Sequence, residues 1–332
     1  MKTVGILTFV AVLSLLLPVD RAAAQSLQTV YIGLVSITPS NGPILAGVDG
    51  GYFRKRGIDA KPLVMSGSST ALAAMVSGDV GTINVAGSGL INAYLGGVDA
   101  VMVAGLVNFA PYDLIVAKGI NSIEDLRGKR VGIARFGGSA DFLARYGLEK
   151  HGLKPGKDVT ILQTGGNAER LAAVSQGAIQ ATLLEQGFAY QAKKAGFRSL
   201  LDYSTIGLDY QHSGLATTRT FMSKNRDLTN NFLKALVEGI HRYKTDRSFG
   251  MKVLERHLRI SDSDTIGATY DYYAPKIGTI PYVNLKGIKF LLDTIVESNP
   301  KARNVKPEDI GDNAPLKEIE ASGFLKQVSA GR

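Results

Sequence analysis

Two stretches decide the reading: Leu72–Ala86, LAAMVSGDVGTINVA, and Leu171–Glu185, LAAVSQGAIQATLLE. They align without a gap, with Gly78 over Gly177 and Val80 over Ile179. Working outward, an apolar run and a Gly-rich turn precede each copy: Leu63-Val64-Met65 with Gly67-Ser68-Ser69-Thr70, and Val159 to Gln163 with Gly165-Gly166-Asn167. Each copy therefore reads strand, turn, short helix, glycine stop, strand. Parallel strands need such a crossover helix, so each copy predicts a βαβ unit inside a parallel sheet. Two copies predict two similar α/β lobes. In such sheets ligands bind beyond the carboxyl ends of the strands, where Gly-rich turns open helices. Two of these edges facing each other make a cleft.

The rest of the chain is organised around these units. Thr29–Val35 and Val101–Val107 read as further strands of the first lobe, and Arg130–Ala134 as the first parallel strand of the second. The break at Asn108-Phe109-Ala110-Pro111 marks a crossing between lobes, and Ser213–Thr217 a strand returning to the first. The expected organisation is an export signal over 1–24, a first lobe from 25–109 and 211–332, and a second lobe from 110–210. The signal reading rests on Lys2, the apolar run Val4–Leu17 and the small residues Ala22-Ala23-Ala24. That run is shorter than the ~20 residues a membrane span needs. Phe232, Leu236, Val237 and Ile240 form one helical stripe, which reads as core.

Composition excludes several chemistries. The 332 residues contain no cysteine, so disulfides, thiolate metal sites, Cys nucleophiles and a lipid-bearing Cys are all absent. An exported chain without an anchor points to a periplasm. The net charge of +9 is scattered, and its tightest clusters, Arg54-Lys55-Arg56 and Arg127 to Arg130, lack interleaved aromatics. They read as solvated surface, not as a nucleic-acid face. The four histidines, 151, 212, 241 and 257, have no metal-ligand spacing. Gly137-Gly138-Ser139-Ala140-Asp141 resembles a nucleophile elbow but ends in Asp where Gly is needed, and no His stands at a telling position. No cofactor or metal is expected.

What remains is a set of strand-to-helix turns: Ser68-Ser69, Gly87-Ser88 and Gly138-Ser139. Free backbone N–H groups and a favourable dipole at a helix start attract an anion. Plain capping is the rival reading for any one turn. Micromolar binding needs about 8 kcal/mol, and a helix terminus contributes roughly 0.3–1, up to ~2 when partly buried. Charge-assisted hydrogen bonds of ~1.5–3 kcal/mol each must supply the rest. Arg135, leading into the second-lobe turn, is a candidate clamp; its rival role is a surface pair with Asp141. Glu185, ending its strand at the same edge, suits an amine or ring N–H, or caps the helix that follows.

GYFRKRGID (51–59), SGSSTALAAMVSGDV (66–80), INSIEDLRGKRVGIA (120–134) and ATLLEQG (181–187) together resemble the substrate-binding proteins of ABC importers for nitrate, sulfonate and taurine. That family includes relatives of the thiamine-pyrimidine synthases. The likeness covers nearly the whole chain after residue 24. It implies a type II periplasmic-binding-protein fold: two lobes, each a mixed, mainly parallel sheet flanked by helices, closing on the ligand like a hinge. It implies a soluble periplasmic monomer that meets a small-molecule ligand and an inner-membrane ABC permease, with no nucleic-acid partner. By the same likeness the ligand touches Ser36, Thr38, Ser68, Ser69, Gly87, Ser88, Asn108, Ser139 and Glu185, beside the Arg135 and Gly138 read from the turn. The expected ligand is a small organic oxyanion of sulfonate, taurine or carboxylate type, with a pyrimidine-like solute as the alternative. The enzyme branch uses a Cys-rich motif, which this chain lacks, so no enzyme is expected. Where many relatives have Pro after the acidic residue, this chain has Gln186.

Overall fold

The structure, a computed structural model, describes residues 27–65 and 67–331; the expected export signal lies outside the described residues. Ten strands follow one another: β1 (Gln28–Leu34), β2 (Ile58–Val64), β3 (Thr82–Val85), β4 (Val101–Val107), β5 (Tyr112–Val116), β6 (Arg130–Ile133), β7 (Thr160–Gln163), β8 (Ala181–Glu185), β9 (Arg198–Asp202) and β10 (Ser213–Thr217). They form two five-stranded sheets, ordered β2-β1-β3-β10-β4 and β7-β6-β8-β5-β9. The two orders are the same pattern. Three parallel strands come first, and the fourth runs antiparallel to both its neighbours. This is the two-lobed α/β architecture of periplasmic binding proteins.

The antiparallel strand is in each case the one that arrives from the other sheet. The chain leaves β4 through Asn108–Pro111 to enter β5, and leaves β9 to return as β10 between β3 and β4. β4, β5, β8 and β10 are buried along their whole length, as strands covered on both faces must be.

The repeat occupies equivalent places. The helix Ser68–Ser77 joins β2 to β3, and the helix Asn167–Ser175 joins β7 to β8. Gly78 and Gly177 both have positive φ, +87° and +73°, which ends each helix in a left-handed turn that only glycine enters freely. Val80 and Ile179 are each 2% exposed and anchor the following strand.

Successive strand residues point to opposite faces, and this sorts the core. Ile115 and Leu184 enter one large apolar cluster, while Leu114, Val116 and Leu183 enter the other. Both clusters draw on both sheets, so the layers run from lobe to lobe. Helix Arg226–Thr245 buries its Phe232, Leu236, Val237 and Ile240 stripe in the first cluster. It lies so close to helix Gly42–Asp49 that a Cβ on Gly239 would stand 2.5 Å from the Gly47 Cα.

Candidate functional site

A cleft of about 1230 Å³ opens between the two sheets. It lies where the topology requires: Val35, Ala86, Ala134 and Glu185, at or just past the ends of β1, β3, β6 and β8, all line it. Its polar floor is a chain of buried side chains that crosses from one lobe to the other. Ser40 is carried by the short 3-10 turn Pro39–Asn41 after β1, and its Oγ donates to Glu185 Oε2 at 2.8 Å. His212, immediately before β10, has Nε2 3.1 Å from Ser40 Oγ and Nδ1 3.2 Å from Ser139 Oγ. Ser40, Ser139, Glu185 and His212 are all at most 5% exposed.

The direction of these bonds follows from the groups. A Ser40 hydroxyl that donates to a carboxylate accepts from His212 Nε2–H. In the neutral ring Nδ1 is then the acceptor for the Ser139 hydroxyl. His212 Nε2 stands 3.8 Å from Glu185 Oε2, too far for a direct hydrogen bond, so Ser40 mediates. Tyr273 and Tyr112 hydroxyls add donors to Glu185 at 3.2 and 3.4 Å.

Burial pushes the Glu185 carboxyl up, but the neighbouring His212, the Ser40 hydroxyl and the Arg170 guanidinium together outweigh it, leaving the pKa below the usual carboxylate range. Glu185 is therefore an ionised carboxylate in the floor. Burial, and next the Glu185 charge, pushes the Tyr112 and Tyr273 phenols up, so both remain donors. Arg170 is buried without a carboxylate against it. Its guanidinium donates to Leu183 O, Gly165 O and Asn167 Oδ1, and Asn167 Oδ1 also accepts the Glu185 N–H at 3.1 Å. This arrangement pins the end of β8 to the Gly165–Asn167 turn and so fixes where Glu185 sits.

Seven of the sequence-derived site residues line this one cleft: Ser36, Thr38, Ser68, Arg135, Gly138, Ser139 and Glu185. Four do not, and each has a physical reason. Ser69 faces outward from its helix and is exposed. Gly87 is pressed against the Gln211 carbonyl, 2.7 Å from where a Cβ would stand, and Ser88 behind it is 1% exposed. Asn108 turns away to donate to Tyr282 O at 2.8 Å.

Arg135 is exposed and has no ion pair among the described residues. Asp141, its rival partner, is instead held by Arg145 Nε at 2.7 Å and by the Gly137 N–H at 2.9 Å. Arg135 reaches over to the first lobe, where a Cβ on Gly67 would stand 3.0 Å from its Cγ. Glu185 does not cap the helix that follows; its carboxylate forms part of the cleft floor. Gln186 donates to the buried Asp113 carboxylate at 2.6 Å.

Sequence reasoning missed His212, Ser40, Tyr112 and Tyr273. The signal for His212 was its place directly before the returning strand; Ser40 lay within the hydroxyl-rich Ser36–Pro43 segment. The fold also brings His212 beside Ser139, which spacing alone does not reveal. Among the described residues no cluster of His, Asp and Glu is arranged to hold a metal ion, and no helix is long and apolar enough to cross a membrane.

A family described as "NMT1/THI5 like" matches residues 38–246. No curated protein matches the chain. A solved protein of Bordetella bronchiseptica is similar with a TM-score of 0.80 and 19% identity, over 89% of this chain and 98% of that one. The periplasmic nitrate-binding protein NrtA of Synechocystis has a TM-score of 0.74 and 14% identity, over 90% and 91%. The periplasmic aliphatic sulphonate-binding protein SsuA of Escherichia coli has a TM-score of 0.67 and 20% identity, over 85% and 90%.

Proposed function

The chain belongs to the NMT1/THI5-like family, and from that premise we propose that it is the periplasmic solute-binding component of an ABC importer. It captures a small organic oxyanion of sulfonate, taurine or carboxylate type in the inter-lobe cleft, hands it to an inner-membrane permease, works as a monomer and performs no reaction on it. The similarity to proteins described as sulphonate- and nitrate-binding supports the class of solute.

One observation carries the choice within that class: the cleft holds an ionised Glu185 in its floor and an uncommitted Arg135 at its wall. An anion ~4 Å from Glu185 is repelled by about 4 kcal/mol at an effective dielectric of 20. The anionic head therefore belongs with Arg135 and the helix start at Ser139, and an ammonium belongs toward Glu185. A zwitterion of the taurine type satisfies both ends. A neutral heteroaromatic with a ring N–H is the second reading, favoured by Glu185 next to the Tyr112 ring.

Isothermal calorimetry with taurine, ethanesulfonate, nitrate and a hydroxymethylpyrimidine tests this. Tightest binding by taurine is the expected result. Binding of the pyrimidine with none of the anions selects the second reading. Failure of all four to bind overturns the oxyanion assignment.

A further inference from the structure

The pole of the second lobe farthest from the cleft carries a concentration of positive charge. The turns at the amino ends of β6, β7 and β8 meet there. Gly128 N–H donates to Asp158 O, Thr160 N–H to Lys129 O, Gln180 N–H to Arg130 O and Ala117 N–H to Gln180 O. These bonds bring Lys118, Arg127, Lys129, Arg130, Lys154 and Lys157 onto one surface, with Arg198, paired to Val116 in the sheet, at its edge. All seven are exposed.

Three carboxylates share the surface. Asp158 pairs with Arg127 at 3.0 Å and accepts the Lys154 N–H, and Asp125 accepts the N–H groups of Asn121 and Ser122. Glu124 is the third, and Glu149 beside Lys150 on the flanking helix adds no net charge. Lys118, Lys129, Lys154 and Lys157 have no ion pair among the described residues.

The equivalent pole of the first lobe differs. There Arg54 and Lys61 both pair with Asp59, at 3.1 and 3.3 Å, Arg56 pairs with Glu238 at 2.8 Å, and Asp79 and Asp99 add negative charge. The basic excess is thus local to one end of the molecule and is not a consequence of the net charge alone.

The patch has no apolar side. None of the exposed large hydrophobic residues, such as Val64, Val76 and Phe136, lies within it. It therefore lacks the aromatic anchors of a protein hot spot and the stacking platforms of a single-stranded nucleic-acid site. A surface of cations on short turns suits a broad, diffuse anionic plane, where each Lys or Arg adds to the attraction within a Debye length.

We propose that this pole docks the protein on a membrane surface rich in anionic phospholipid headgroups, leaving the cleft at the other end of the lobe facing the aqueous side. The attraction is electrostatic and reversible. It keeps the protein near a bilayer while it loads, and it does not depend on which solute the cleft takes.

Co-sedimentation of the full chain with phosphatidylglycerol–phosphatidylcholine vesicles, against phosphatidylcholine vesicles alone, tests the proposal. Wild type is expected to bind the anionic vesicles only and to be released by salt. Combining Lys118→Gln, Lys129→Gln and Lys157→Gln is expected to weaken binding on the order of a hundredfold, from about fivefold per cation. The control triple Lys224→Gln, Lys252→Gln and Lys286→Gln removes the same charge from the first-lobe side and is expected to bind nearly as wild type. Equal loss in both triples overturns the proposal, since net charge alone would then explain binding. So does the absence of phosphatidylglycerol-dependent binding, including the case in which the protein is retained on a soluble polyanion instead.

Discussion

Ser40→Ala is the sharpest perturbation of the cleft floor. Ser40 Oγ makes two contacts: 2.8 Å to Glu185 Oε2, which crosses between lobes, and 3.1 Å to His212 Nε2, which ties it to the segment before β10. A hydrogen bond to a charged acceptor contributes ~1.5–3 kcal/mol and a neutral one ~0.5–1.5. Their loss is expected to lower unfolding free energy by about 2–4 kcal/mol. Urea denaturation at neutral pH measures it. The variant also carries a pH signature. Glu185 is held below the usual carboxylate range, so its contribution is complete above that range and disappears as pH falls through the lowered native value. Ser40 is one of the groups that lowers it, so in Ser40→Ala the native value rises and the acid loss of stability begins at higher pH. A variant within ~0.5 kcal/mol of wild type, with an unmoved acid limb, would refute Ser40 as the bridge.

Three further outcomes are expected. Arg135→Gln leaves stability within ~0.5 kcal/mol, because the side chain is exposed, but weakens taurine binding about 10- to 150-fold by calorimetry. Gly187→Ala costs about 1–3 kcal/mol in thermal or urea unfolding, since φ is +94° and the new Cβ meets Thr269 Oγ1 at 2.7 Å. In Lys193→Met the buried Asp113 loses its 2.8 Å ammonium partner and keeps only neutral donors, Gln186 among them. Burial already pushes the Asp113 carboxyl up against the pull of Lys193; without Lys193 it rises further. The variant is expected to lose about 1–3 kcal/mol. That loss grows as pH climbs from the ordinary carboxylate range through the raised native value, and urea titrations at several pH values follow it.

The repeat was legible because its punctuation is local. Gly78 and Gly177 are demanded by the left-handed turn each occupies, and the apolar runs on either side become strands whatever the tertiary setting. The same locality made Val101–Val107 and Ser213–Thr217 readable to the residue. The floor of the cleft was less so. Ser40, Glu185 and His212 are distant in sequence and meet only when two crossings have been made; none carries a spacing that announces the others. Three helix-start turns looked alike in sequence, yet Ser88 is sealed behind Gln211 while Ser68 and Ser139 face the opening. Which of several equivalent turns meets solvent depends on what the far end of the chain lays over it. Gln186 shows the same limit: its side chain completes the shell of Asp113, a buried carboxylate that nothing in its own neighbourhood explains.

The placement of β10 imposes an order on biosynthesis. Every strand of the second sheet lies between residues 112 and 202, so that sheet is complete in one unbroken stretch of chain. The first sheet has an empty slot between β3 and β4 until residues 213–217 have emerged, leaving two bare strand edges waiting on a nascent polypeptide. A truncated product ending near residue 110 should clump, whereas the middle segment stands the better chance of surviving alone.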